Sequence, residues 1–447
     1  MYFIIEDKEQ LAKFSTYNME ECFIEPILLS DNVHPILSEV SAFYIKPIKS
    51  KRGFILPINH SETFSLDLED VLNLFREKTK IIYTSDGKRT KYHLDVDKPI
   101  VCLKTLKWLE TGEVIDDSQW CTSAHNFLNA KYYTRTDVNR LIPIAKHQQR
   151  WNAYVNDNKK LFNSKLRGKG YFKFYNELVP DVLARVEAAG LRIDQEALLK
   201  HYPETNLEFI CGGNKVHGWY NIHTATGRPS NTFAGINFAA MNKSDNSREF
   251  IVSGKGLLVE FDYHSYHPRI LAYLVGYKFP GEDIHTHLGQ MYFDTEELTD
   301  EQYSQSKNLT FKLLYTGSDE YMHLPFFKAV RAYKEALWQE YRTNGFIPAV
   351  LSKRPIRGME SKTQILPYIL QSYETEANLL VMKDLQEYLQ DKYTKLVMYS
   401  YDAFLFQHSK KDGPEVLEEL QAIIELGGYT TSIKVGKEYS NLKQLPG

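Results

Sequence analysis

The sequence predicts a mixed α+β protein built from more than one domain. Three observations predict it. The apolar run Leu257-Leu258-Val259 carries Asp262 to the end of a buried strand, and a helical stretch containing Arg269 begins almost at once. A second apolar segment ends in Met398-Tyr399-Ser400-Tyr401-Asp402, with Ala403-Phe404-Leu405-Phe406 after it, so that Asp402 lies 140 residues beyond Asp262. Over the first 150 residues short β-type runs alternate with helical stretches. A chain of 447 residues is long enough for two or three domains with substantial cores. Hydrophobic residues at 43% and charged residues at 25% are the proportions of a soluble globular protein rather than a disordered one.

In chain order, Tyr2 to Ile5, Cys22 to Leu29, Ala42 to Ile45 and Phe54 to Ile58 read as strands and Leu66 to Lys78 as a helix, an α/β domain over 1–150. Its first strand offers one acid, in Phe23-Ile24-Glu25-Pro26. Asp86, Asp116, Asp117 and Asp137 fall in no metal-binding pattern, so this domain is expected to be structural. From Lys146 to Lys173 the chain carries Lys146, Arg150, Lys159, Lys160, Lys165, Arg167, Lys169 and Lys173 against a single acid, Asp157. Trp151, Tyr154, Phe162, Tyr171 and Phe172 are interleaved. Cations neutralise phosphates and rings stack on bases, so the stretch suits nucleic acid; a solvated helix and linker has the same composition. Gly168 and Gly170 mark a break. A helix over 175–187 and a stop at Ala188-Ala189-Gly190 follow.

Two strand-borne aspartates so far apart in sequence can meet only through the fold. Two-metal phosphoryl transfer needs that arrangement: carboxylates on a rigid sheet holding two divalent cations roughly 4 Å apart. Between them, Lys307, Phe311 and Tyr315 fall at i, i+4 and i+8 on one helical stripe. A cation, an apolar ring and a phenol suit a nucleoside triphosphate, although an amphipathic helix with two core aromatics would read the same. Cys22, Cys102, Cys121 and Cys211 are widely separated and form no CxxC pair, so reduced thiols in a cytoplasmic compartment are expected. MYFIIEDKEQ has no basic leader, and no apolar run is long enough to span a membrane. The net charge of −3 gives no global sign of a nucleic-acid partner, but a local groove matters more than the sum.

Asp262-Tyr263 with Arg269-Ile270-Leu271-Ala272 resembles motif A of family A DNA polymerases, the bacterial DNA polymerase I type. Ser306 to Tyr315 resembles motif B on the fingers helix, Tyr401-Asp402 resembles motif C, and Asp283-Ile284-His285-Thr286 resembles the segment after motif A. Thr224-Ala225-Thr226-Gly227-Arg228-Pro229-Ser230 resembles the TGR segment, and Arg248-Glu249-Phe250-Ile251 the stretch before motif A. The resemblance runs from about Tyr171 to the C-terminus in the family's order.

It implies a right-hand palm and fingers over 228–447, a basic linker and remnant thumb over 151–227, and an exonuclease-like (RNase H-like) domain over 1–150. It also implies a DNA polymerase using two Mg²⁺ or Mn²⁺ ions, primer-template DNA and dNTPs. Asp262, Asp402 and the Tyr263 carbonyl would hold the metals. Lys307 would meet the phosphates, with His267, His285, Tyr303, Phe311 and Tyr315 around the nucleotide. Arg228, Arg248, Arg354, Gln371 and Tyr401 would contact DNA.

Several positions depart from the family's pattern. His267 stands where a glutamate forms part of the gate against ribose, Tyr303 replaces an arginine, and Tyr401 and Ala403 replace a histidine and an acid in motif C. Asp194 and Thr224 are 30 residues apart, too few for a long helical thumb, so a clamp or processivity partner is expected. A single-subunit RNA polymerase and a non-catalytic DNA-binding subunit are the alternative readings.

Overall fold

The computed structural model describes residues 3–115, 135–243, 245–281, 283–316 and 320–445; Asp116, Asp117 and Cys121 lie outside them. The chain divides into two compact units. Met1–Glu110, Val114–His223 and Ser230–Val252 form the first, and Thr111–Glu113, Thr224–Pro229 and Ser253–Gly447 the second. The basic stretch is therefore in one unit with the N-terminal sheet. No helix among the described residues is long and apolar enough to cross a membrane.

The first unit is built on a five-stranded sheet: β1 (Glu21–Leu28), β2 (Val40–Pro47), β3 (Phe54–Pro57), β4 (Ile81–Thr84) and β5 (Ile100–Cys102), in the order β3-β2-β1-β4-β5. β3, β2 and β1 pair antiparallel; β1, β4 and β5 pair parallel. The predicted first run, at Tyr2 to Ile5, reduces to a single bridge from Ile4 to Ile55. β4 and β5 escape the sequence reading because runs of four and three residues carry too little periodicity. A parallel pair needs a crossover, and the helix Leu68–Lys78 supplies one between β1 and β4, capped by Asp67 accepting from Glu69 N and Asp70 N. β1 is buried at every position but its first, as a strand covered on both faces must be.

That burial decides two open questions. Phe23 on β1 packs its ring 6.1 Å from Trp151, 5.8 Å from Tyr154 and 6.4 Å from Phe162. Trp151, Phe162 and Phe172 are buried, so these rings are core, not a platform for bases. Arg150 is turned to Asp31 and Arg167 to the Tyr83 hydroxyl, while Lys146, Lys159, Lys160, Lys165, Lys169 and Lys173 stay exposed. Glu25 is fully buried and accepts from the Thr84 hydroxyl and from Ser85 N at 3.0 Å each. Asp86 is paired with Lys104 at 3.2 Å. Both acids thus have partners inside the unit, Glu25 through Oε2 alone.

The helix predicted over 175–187 forms as Val179–Ala189, preceded by a π-turn over Phe174–Leu178. Pro180 has no N–H to donate back into that turn, which explains where the regular helix starts. Gly190, at φ 63°, ends it. Between Asp194 and Thr224 there are helices of seven and four residues, Gln195–His201 and Leu207–Ile210, and strands of two.

The second unit carries an all-antiparallel sheet of β6 (Leu257–Tyr263), β7 (Lys395–Ser400), β8 (Ala403–His408), β9 (Thr431–Gly436) and β10 (Lys443–Gln444), in the order β7-β8-β6-β9-β10. Its helices are α1 (Tyr266–Leu274), α2 (Ile284–Phe293), α3 (Asp300–Thr316), α4 (Pro325–Asn344), α5 (Ile365–Tyr388) and α6 (Glu415–Ile424). Val259, Phe261, Tyr263, Val397, Tyr399, Phe404 and Phe406 are buried in the sheet, as a pleated, packed surface favours. α5 buries thirteen residues on more than one face, so it is an internal helix.

Candidate active site

β6 is the central strand, so its last residues are fixed from both sides. Asp262 pairs with Ala403 on β8 and with Ser432 on β9. β7 and β8 are joined by the two-residue turn Tyr401-Asp402, closed by the Ser400–Ala403 pair. Register alone therefore brings the two aspartates together, and Tyr263 N donates to Asp402 O at 3.0 Å. The turn is strained: Tyr401 sits at φ 61°, a left-handed conformation costing a non-glycine residue about 1–3 kcal/mol. Two groups hold it there. Asn378 Nδ2 on α5 donates to Tyr401 O at 2.7 Å, and the Arg228 guanidinium lies over the Tyr401 ring at 3.7 Å.

The carboxyl of Asp402 is pushed up to about 6, first by desolvation among its neighbours and then by the negative charges of Asp262 and Glu374. The residue keeps an open side toward solvent. Crowded carboxylates open to solvent fit hard divalent cations. Mg²⁺ binds through one or two carboxylates, with phosphates and waters completing its shell. Among the described residues no three His, Cys, Asp or Glu side chains converge on one point. Lys434 on β9 meets Asp262 Oδ2 at 3.1 Å and Glu260 Oε1 at 3.2 Å. Burial disfavours its charge, but Glu260 and Asp262 outweigh that and raise its pKa.

α3 lays Tyr303, Lys307, Phe311 and Tyr315 along one stripe, four residues apart. Lys307 is exposed, and the Phe311 and Tyr315 rings are parallel within 3° at 6.3 Å. His285 lies behind the stripe, 6.0 Å from Phe311 and 6.3 Å from Tyr303. It is 2% exposed with both ring nitrogens unbonded, and burial, then the charge of Lys307, holds it down to about 4. His285 is thus a neutral, buried ring rather than a charged group facing a phosphate. His267, in the first turn of α1, hydrogen-bonds the Tyr315 hydroxyl through Nδ1.

The expected DNA-contacting residues divide. Arg228 is partly open, over Tyr401. Gln371 accepts from the Thr226 hydroxyl at 3.2 Å. Arg354 is only 2% exposed and donates to Thr226 O at 2.9 Å, so it shapes the Thr224–Pro229 loop from within. Gly227 makes the turn of that loop at φ 80°, which a side chain would resist. In the first unit, Arg248 donates through Nε and Nη2 to Met241 O.

No protein-family model matches the chain, and no curated protein does. Among solved structures it matches the POL domain of Pol1 from M. smegmatis in complex with DNA primer-template and dNTP, with a TM-score of 0.71. The match covers 98% of this chain and 99% of that one, at 14% sequence identity. The chain has the fold of a polymerase domain.

Within that fold, three residues of α5 escape the sequence reading. Glu374, Glu376 and Asn378 are buried in a helix otherwise rich in Ile, Leu and Met. Glu376 accepts from Ser352 N and the Ser352 hydroxyl, fixing the turn that carries Arg354. Glu374 pairs with Arg228, and Asn378 holds the Tyr401 turn. Their signal was available: polar residues in an apolar helix must be paired if buried, and so mark a network.

Proposed function

We propose that the chain is a template-directed DNA polymerase that adds deoxynucleotides to a primer 3′ end. The observation that carries this reading is the juxtaposition of Asp262 and Asp402 by strand register, at the end of the central strand of a sheet. Divalent cations held by Asp262, Asp402 and the Tyr263 carbonyl supply, when bound, an acidified 3′-hydroxyl and neutralisation of the triphosphate. Lys307 offsets charge building on the phosphates. Phe311, Tyr315 and His267 bound the sugar and base, with Tyr303 one turn earlier and His285 as the apolar backing of the stripe. Arg228, over Tyr401, contacts the primer strand; Gln371 and Arg354 hold its loop in shape, and Arg248 orders the segment before β6. Glu25 and Asp86 of the first unit are tied to protein donors, which supports a structural role for that unit.

Primer extension with labelled dNTPs, and separately rNTPs, tests the reading, with Asp262→Asn and Asp402→Asn as controls. Each variant should lose on the order of 10²–10³-fold or more in incorporation, with DNA binding retained. Near wild-type extension by either would remove the site assignment. Extension with rNTPs alone would make the chain an RNA polymerase. DNA binding with no extension would leave a non-catalytic subunit.

A further inference from the structure

The Glu374 carboxylate is 1% exposed and faces two groups. On one side is Arg228, with Nε at 3.0 Å from Oε2 and Nη2 donating to Oε1 at 3.3 Å. On the other is His267, with Nε2 at 3.5 Å from Oε2. His267 in turn is bonded through Nδ1 to the Tyr315 hydroxyl. Four side chains thus form a line from the Thr224–Pro229 loop through α5 and α1 to the nucleotide-facing stripe of α3. Glu374 Oε2, His267 Nε2 and Arg228 Nε are all buried without a hydrogen bond of good geometry; the Arg228 guanidinium offsets the carboxylate charge, and His267 Nε2 faces Oε2 across a contact rather than a directed bond. A carboxylate this deep is tolerated only where cations or donors face it. Arg228 alone would satisfy that need, yet the carboxylate also faces the imidazole.

Chemistry then fixes the histidine. A neutral imidazole has one donor and one acceptor nitrogen, and a carboxylate can only accept. Of the two neutral tautomers, only the one with the proton on Nε2 suits the Glu374 carboxylate, and in it Nδ1 accepts from the Tyr315 phenol. We propose that Glu374 is the positioning residue for sugar recognition: it sets the tautomer and ring orientation of His267, so that His267 and Tyr315 form one rigid wall against a 2′-hydroxyl. The carboxylate that the motif A resemblance expects at position 267 is supplied from α5 instead, through a histidine. The inference rests on the polymerase reading above.

The experiment has two arms. Nitrogen-15 NMR of histidine-labelled wild-type protein reads the tautomer of His267 without any variant: Nε2–H is expected, and Nδ1–H would overturn the proposal. In primer extension, Glu374→Gln should raise the ratio of ribonucleotide to deoxyribonucleotide incorporation on the order of tenfold, the scale of one contact to a charged group. The double variant His267→Glu with Glu374→Gln, which returns the carboxylate to the α1 position, should bring the ratio back toward wild type. A loss of both activities in equal proportion, with no change in ratio, would make Glu374 merely structural and defeat the proposal. Wild-type protein that extends with neither nucleotide would defeat the polymerase reading and the sugar role together. The imidazole spectrum distinguishes that failure from a failure of Glu374 alone.

Discussion

Asp402 is the candidate-site carboxylate whose chemistry its surroundings alter. Its folded-state pKa of about 6 lies above the ordinary 3.8, so the native protein binds more protons than the unfolded chain between those values. The contribution of Asp402 to stability is therefore largest at low pH and falls as pH rises from about 4 to about 6. Asp402→Asn should be more stable than wild type at pH 8 and similar to it at pH 4 in chemical denaturation; the reverse order would contradict the raised carboxyl. A cation that needs the ionised form must displace that proton. Mn²⁺ binding followed by calorimetry, in buffers of different protonation enthalpy, should release a proton at about pH 5.5 and almost none at pH 8. Proton release that does not vary with pH would mean that the cation binds elsewhere.

At the scale of elements, a central strand, a tight turn and an internal helix act as one device. Asn378 on α5 donates to Tyr401 O at 2.7 Å and accepts from the Tyr266 hydroxyl at 3.0 Å, joining α5, the β7–β8 turn and α1. Asn378→Ala leaves a buried phenol and a strained carbonyl unpartnered, at a cost of about 2–3 kcal/mol. It should also slow incorporation, because Asp402 follows Tyr401 directly. A variant with unchanged denaturation midpoint and unchanged rate would show that the turn holds itself. In the other sheet, β1 carries a comparable burden at Glu25. Burial pushes its carboxyl up to about 7 from 4.5, against the opposing pull of Arg89. The stability it contributes is present at low pH and falls as pH rises between those values. Glu25→Gln should therefore stabilise the protein at pH 8 by up to about 3 kcal/mol and change little at pH 4. Equal melting shifts at both pH values would refute this.

At the scale of the molecule, the short segment between Asp194 and Thr224 bears on how DNA would be held under the proposed polymerase function. Helices of seven and four residues present few sites for phosphate contact, and phosphate contacts supply the sequence-independent part of affinity. The exposed lysines from Lys146 to Lys173 would add charge, while Trp151, Phe162 and Phe172 among them are buried away from any base. Extension should therefore be short per binding event and fall steeply with salt, unless a tethered partner raises the effective DNA concentration. Single-turnover extension against a heparin trap, at several salt concentrations, reads both. Hundreds of nucleotides added by the isolated chain before dissociation would refute the inference.

Asp262, Lys307, Phe311, Tyr315 and Asp402 were legible because each stands in a local pattern, a strand end or a helical stripe, that a linear sequence displays. So were β1, β2, β3 and β6, each read from its apolar run. The partners of those residues were not legible. Nothing near Glu374 in the sequence announces Arg228 or His267, and nothing near Asn378 announces Tyr401. Nor did anything in the sequence announce the burial of Arg354, expected against DNA, or of His285, expected around the nucleotide. Trp151 and Phe162 read equally as stacking platform or core until Phe23 was found between them. Local chemistry depends on residue type and spacing, which the sequence states directly. Burial, ionisation and partnership depend on which distant segments share a volume, and only the tertiary structure decides that.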